Sequence, residues 1–266
     1  MKNYHNHYLL LAVETICLIS VPFILIFLLY ENNLVFYVCS VLSILFITKL
    51  GQSIAQHRYF SHRSFKTNKI TESILALAAT LSTTGSILHY SLIHRYHHTY
   101  SDTDKDMHSP ANGDSWRIWF GMLDTNKTSK LDPRKIKDLL SIKSVKFFQN
   151  YYWPTIILYI LILYFINPIL VILCYMLPVG YSKFCTGIQG TLNHKIGYRN
   201  FDTNDNSTNS LILNIITLGE GSHNNHHYDQ RKYNFGFTGK IKEFDFSAFI
   251  IKTFLESKNN DQEDIL

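Results

Sequence analysis

The chain has 266 residues, 46% of them hydrophobic, and its 18 Phe and 17 Tyr lie mostly in long apolar blocks, which argues against a soluble globule. A mean hydropathy of −0.01 averages lipid-grade stretches with a very polar remainder. The net charge of +5 has no Lys/Arg run behind it and gives no ground for a nucleic-acid partner, and four cysteines without C-x-x-C spacing outline neither a disulfide framework nor a thiolate metal site.

Residues 8–30 form the first apolar block, with Glu14 its one acid, and about 20 such residues suffice to cross the hydrocarbon core. The block exceeds the apolar region of a signal peptide, no A-x-A-like cleavage site follows, and a second block begins at Leu34, so it reads as a span. Residues 34–50 are the second span, joined to the first by Glu31, Asn32 and Asn33 in a tight hairpin. Residues 70–93 are weaker, with Ser and Thr through the middle, Gly85 and Glu72, and read as an interfacial or partly inserted amphipathic helix. Residues 154–180 are almost unbroken Ile, Leu, Tyr and Val except at Asn167-Pro168, a pair that favours a turn. They predict a second hairpin with spans at about 152–166 and 168–188; a single kinked span would put the two ends on opposite sides. The links at 31–33 and 167–168 hold no Lys or Arg, whereas 51–70, 94–150 and 195–243 hold most of them. By the positive-inside rule those segments and both termini face the cytoplasm. The expectation is a single all-α, multi-pass integral membrane domain over residues 1–266. It has four transmembrane helices in two hairpins, interfacial helices, a cytosolic helical cap at 51–150 and 195–257, and a polar tail at 258–266.

Eight of the 13 histidines fall into three groups that flank these blocks on the same predicted side: His57 and His62; His94, His97 and His98; His223, His226 and His227. Imidazole is the commonest metal-ligating side chain. On a helix His94 can converge with His97 or His98, and His223 with His226 or His227, while adjacent histidines are offset by roughly 100° and suit different ions. Two ions are implied, because one zinc would leave half of eight imidazoles unused. His194, after the fourth span, is a plausible ninth ligand. His5, His7 and His89 have no partner in a group, and His108 is intermediate. Histidine-only ligation leaves the metal charge largely uncompensated and suits O2 activation by non-thiolate iron. A hydrolytic two-zinc site would normally include bridging carboxylates, and the three groups contain none. Asp102, Asp104 and Asp106 follow the second group as candidate partners of imidazole N–H groups, or, for at least two of them, as a solvated acidic loop.

The stretches HRYFSHRSFK at 57–66, HRYHHTYSDTDKDMHSP at 94–110, KLDPRKIKDLL at 130–140, NHKIGYRNFDTNDNSTN at 193–209, GEGSHNNHH at 219–227 and KEFDFSAFIIKTFLE at 242–256 resemble the membrane-bound fatty acid desaturases of the stearoyl-coenzyme A desaturase-like, carbon-9 type. The resemblance runs from about Gly51 to Leu255. It implies a four-span helical enzyme with a cytosolic cap and a di-iron centre held by His57, His62, His94, His97, His98, His194, His223, His226 and His227. It further implies a bent acyl tunnel, O2 as co-substrate, and a separate electron donor such as a b-type cytochrome or ferredoxin. Asn193 joins Asp102 and Asp106 as expected support for the ligands. Arg63, Lys66, Lys195 and Arg199 are candidates for an anionic headgroup, or ordinary positive-inside residues.

Two departures stand out. Gly190 stands where similar enzymes commonly have an Asn serving a metal-bound water, with Asn193 next to His194 instead, and Trp119 stands near an expected histidine in the stretch 112–121. A related di-iron lipid hydroxylase is the alternative. A non-catalytic metal-binding or transport protein would place ionisable groups within the spans, and Glu14, Lys49 and Lys183 are nearly the only ones there. Regiochemistry and the acyl carrier, whether coenzyme A, acyl carrier protein or a glycerolipid, stay open.

Overall fold

The computed structural model describes residues 7–110, 115–121 and 131–257, whose regular elements are all helices, with two isolated β-bridges from Asn209 to Tyr198 and Ser222. The expected tail at 258–266, His5 and residues 112–114 lie outside the described residues.

The first helix, α1 (His7–Tyr30), turns at Asn33, whose side chain accepts from the Val35 N–H at 3.0 Å and starts α2. The expected end of that second apolar stretch at residue 50 is not an end: α2 runs unbroken over Leu34–Ser61. Its polar second half stays helical because protein, not lipid, surrounds it. Gln52, Ser53, Gln56 and His57 are all buried there. Over Ile44–Ser61 the helix is wound in π form, and the His62 N–H reaches the His57 carbonyl at 3.3 Å.

The expected single helix over 70–93 is two. The first, α3 (Lys69–Leu81), ends where Thr83 and Gly85 adopt positive φ (56° and 91°), and α4 (Ile87–Tyr100) restarts at Ser86, whose hydroxyl accepts from the His89 N–H at 3.3 Å. The Ser/Thr cluster that weakened the block is thus a corner. It is held by Gln56 of α2, whose side-chain N–H donates to the Gly85 carbonyl at 2.8 Å. A short helix, α5 (Ser115–Trp119), precedes α6 (Lys143–Asn150) and α7 (Tyr152–Ile166). At Asn167 the chain turns into α8 (Pro168–His194), its side chain accepting from the Ile169 N–H at 2.9 Å. Helices α9 (Leu211–Ile216), α10 (His223–Tyr228) and α11 (Phe246–Leu255) complete the described chain.

Three of these helices, Tyr8–Tyr30, Leu34–Ser61 and Pro168–His194, are long and apolar enough to cross a membrane, and α7 is a shorter apolar helix of 15 residues. Burial against lipid gives little drive for helices to associate, so close packing matters more. Gly180 supplies it between α8 and α1: a Cβ there would lie 2.4 Å from the Cys17 carbonyl oxygen. Gly51 does the same between α2 and α3, where a Cβ would lie 2.3 Å from the Ala78 carbonyl oxygen. One apolar cluster joins α1, α2, α7 and α8 through residues such as Cys17, Ile47, Ile156 and Leu173. A second joins the far half of α2 to α3, α4 and α11 through Ile54, Phe60, Leu75, Leu92 and Ile251. The polar ends of α2, α4 and α8 meet beside this second cluster.

Candidate metal centre

The nine histidines come together there. His57 lies on α2 and His62 one residue past it; His94, His97 and His98 lie on α4; His194 ends α8; His223, His226 and His227 lie on α10. They form two groups, His57, His62, His94, His98 and His226 in one and His97, His194, His223 and His227 in the other, each with one ring nitrogen per residue within 4.8 Å of all the rest. Helix geometry explains the division. His94 and His98, like His223 and His227, are one turn apart and share a group, whereas the neighbours His97 and His226 face the other group. His57 and His62 are five residues apart, out of phase on an α-helix, and the π winding brings them into one group.

The facing atoms are Nε2. In the larger group the contacts are His57 to His226 at 2.9 Å, His62 to His94 at 2.8 Å, His94 to His98 at 3.1 Å and His98 to His226 at 3.0 Å. In the smaller they are His194 to His223 at 3.1 Å and His223 to His227 at 3.0 Å. Two nitrogens about 2.1 Å from one ion, at right angles, would lie about 3.0 Å apart.

Carboxylates fix the tautomers. His57 Nδ1 donates to Glu220 at 3.1 Å, His97 Nδ1 to Asp106 at 2.8 Å, His194 Nδ1 to Asp102 at 2.8 Å and His227 Nδ1 to Asp205 at 2.7 Å. Each of those rings then presents an Nε2 lone pair inward. His223 Nε2 faces two such lone pairs, and one proton on it could serve only one of them. A shared cation resolves the conflict, so the residues fit a metal at each group.

Electrostatics point the same way. Burial, then the neighbouring rings, push His62, His94, His98, His223 and His226 well below the usual histidine value, and His227 falls to about 4. Neutral rings are ligand-competent rings. His97 is the exception: burial, the largest single influence, lowers it, but the charge and hydrogen bond of Asp106 together with the charges of Asp102 and Asp205 outweigh burial and raise it. Burial pushes Glu220 up, yet Arg58, His57 and Lys49 together hold it well below the carboxylate range. Asp102 and Asp205 are likewise lowered, mainly by their histidine partners against burial.

Asp102, at φ 59°, also accepts from the Ser109 hydroxyl at 2.5 Å and the Asn206 N–H at 2.8 Å, tying α4 to the loop after α8. Asp104 is exposed. Asn193 donates to the Glu220 carbonyl at 3.1 Å rather than to a ring. Arg63, Lys66, Lys195 and Arg199 are exposed. The Arg63 guanidinium lies 4.7 Å over the Tyr59 ring, the Lys66 carbonyl accepts from the Ser257 N–H at 3.1 Å, and Lys195 donates to Ser115 at 2.7 Å. Arg199 is engaged by the carbonyls of Thr203, Asp205 and Ser207. Trp119 packs on Gly187, where a Cβ would lie 2.4 Å from the indole.

Sequence reasoning missed Glu220 and Asp205. Glu220 sits between two glycines directly before the third histidine group, and a lone acid in an apolar-flanked histidine motif was the available signal. Its carboxylate meets Arg58 and Ser53 as well as His57, and Arg58 continues to Asp245 at 2.9 Å. Asp205 had no signal among the polar residues of its loop.

A cavity opens onto both histidine groups. Its wall includes His94, His97 and His223, the apolar Leu10, Leu11, Ile93 and Ile118, and Glu14 paired with Lys183 at 2.9 Å.

The profile of the family described as fatty acid desaturase matches residues 31–232. The chain is 36% identical over 180 residues to the sn-1 stearoyl-lipid 9-desaturase of Anabaena variabilis, covering 67% of this chain and 66% of the relative. It is 31% identical to the Delta-9 acyl-lipid desaturase 1 of Arabidopsis thaliana, covering 78% and 68%, and 31% identical to the probable acyl-CoA desaturase of Schizosaccharomyces pombe, covering 70% and 41%.

Proposed function

The chain belongs to the fatty acid desaturase family, and from that premise we propose that it is an O2-dependent di-iron acyl desaturase that introduces a cis double bond, at carbon 9, into a saturated acyl chain. The observation that carries this reading is the pair of all-imidazole groups on the wall of one partly apolar cavity. In the overall reaction the chain loses two hydrogens and O2 takes up these, two further protons and two electrons from a donor, leaving two waters. Bound at the nine histidines, iron supplies the redox chemistry toward O2.

The protein's own residues do the rest. Glu220, Asp106, Asp102 and Asp205 hold the Nδ1 protons and so keep the Nε2 lone pairs directed inward. Leu10, Leu11, Ile93 and Ile118 offer the alkyl chain an apolar wall that leads its methylenes past His94, His97 and His223. Shielding by that wall keeps bulk water from the reacting carbons.

The same reading makes the chain one multi-pass domain in the bilayer, with four spans at about 8–30, 34–50, 152–166 and 168–188. Both termini and the histidines face the cytoplasm, where 51–150 and 195–257 form the cap. Support comes from the three long apolar helices, the turn at Asn167 and the placement of Lys and Arg. Electrons come from a separate b-type cytochrome, ferredoxin or similar carrier. Arg63, Lys66 and Lys195 are the exposed cations offered to an anionic headgroup; Arg199, already engaged by its own loop, has the least freedom.

Expression in a host unable to make unsaturated acids, with gas chromatography of its lipids, tests the function. A new monounsaturated acid is expected, and its absence with iron and donor supplied overturns the reading. A hydroxy acid as the product would identify the hydroxylase alternative.

A further inference from the structure

The two histidine groups are unequal, five rings against four, and the smaller has a tenth histidine beside it. His108 lies with its ring centroid 5.6 Å from that of His97 and lines the same cavity as His97 and His223. Its position is fixed through Asp106: one carboxylate oxygen accepts from His97 Nδ1 at 2.8 Å and the other from the His108 backbone N–H at 2.9 Å. Asp106 therefore orients a ring of the four-histidine group and places His108 in a fixed relation to it.

Gly190, four residues before His194 on α8, completes the arrangement. A Cβ there would lie 2.6 Å from His108 Nε2 and 2.7 Å from Ile118 Cγ2, so no side chain fits at 190 while His108 holds its place. The imidazole fills the part of the cavity wall that a side chain from the end of α8 would otherwise occupy. It is not one of the four clustered rings, whose ligating atoms all lie within 4.8 Å of one another. For two ions of equal coordination number, the smaller group, with four protein donors against five, would have one position more for solvent.

Resting on the metal-centre reading above, we propose that His108 is a positioning residue that hydrogen-bonds a solvent molecule at the open position of the His97, His194, His223 and His227 group. Glycine at 190 leaves the room that the His108 ring takes. Residue 190 and residue 108 are then alternatives for one place, and exchanging them restores the function that removing His108 destroys.

The test uses purified full-length protein loaded with Co(II), with azide as the probe of the open position, followed by optical absorption. His108→Ala is expected to retain the wild-type metal content but to bind azide about tenfold more weakly, the loss of one hydrogen bond to a charged group. His108→Gln retains most of the affinity. Gly190→Asn alone disturbs the site, because its side chain meets His108, whereas His108→Ala combined with Gly190→Asn recovers azide binding to within about threefold of wild type. Unchanged azide affinity in His108→Ala, loss of metal in that variant, or a double variant no better than His108→Ala would each overturn the proposal. Failure of the desaturase reading is distinguishable, since wild-type protein would then form no double bond while the azide pattern stood.

Discussion

His98 and His227 stand ring against ring, centroids 4.4 Å apart, although they belong to different histidine groups. Their sequence neighbours cross the same seam: His97 lies with His227, and His226 with His98. The two groups therefore share a wall made by α4 and α10, and a change at either helix reaches both.

His226→Ala and His97→Ala each remove a ring from a different group. Both variants are expected to lose activity and to bind less iron, with His226→Ala affecting the five-histidine group and His97→Ala the four-histidine group. Membrane insertion should be intact, because the apolar helices do not depend on the metal. Metal analysis of membranes purified from expressing cells checks this, and full activity in either variant would refute the assignment of that ring.

Glu220→Gln and Asp205→Asn remove carboxylates that orient one ring each, and metal affinity is expected to fall about 10–100-fold in both. Of the two, Glu220 also pairs with the buried Arg58, which Asp245 pairs as well. Its replacement leaves Arg58 with Asp245 as the remaining counter-charge, so the stability loss should be at the low end for a broken buried pair, about 3 kcal/mol, and larger than that of Asp205→Asn, whose carboxylate pairs with His227. Thermal unfolding of the metal-free proteins in detergent separates the two effects; equal losses of stability would count against the buried network.

Lys183→Met leaves the Glu14 carboxylate unpaired between α1 and α8. A loss of about 3–5 kcal/mol is expected, and Glu14→Gln in the same chain should recover most of it. Thermal unfolding of the single and double variants gives the comparison. A double variant as unstable as Lys183→Met would show that the ion pair itself is needed.

Glu243 carries a pH dependence that can be read against wild type. Burial raises its pKa, but hydrogen bonds from Thr238, Tyr198, Asn200 and Asn225 together outweigh burial and bring it below the ordinary 4.5. A depressed folded value means that the unfolded chain binds the proton more readily. The stabilisation is complete above 4.5 and is lost as pH falls through the folded value. Glu243→Gln should be less stable than wild type at neutral pH, with the gap narrowing below about pH 5 in thermal unfolding. A gap independent of pH would exclude an ionised Glu243.

The sequence by itself determined the apolar helices, the turn at Asn167 and the identity of the histidines. Each of these follows from local pattern: the length of an apolar run, a proline that cannot continue a helix, and imidazoles at one-turn spacing. Tertiary structure decided what depends on neighbours distant in the chain. Residues 51–61 carry too many polar groups to read as the continuation of a span, and they stay helical because α3, α4 and α8 bury them. The corner at 82–86 is fixed by Gln56 from another helix, which no local periodicity could announce. Glu220 and Asp205 looked like any loop acids until folding brought each to an imidazole nitrogen. His108 had no partner at helical spacing, and only the approach of α8 at Gly190 places it on the cavity wall. Periodicity encodes which face of one helix is apolar; it holds no information about which side chains meet across two.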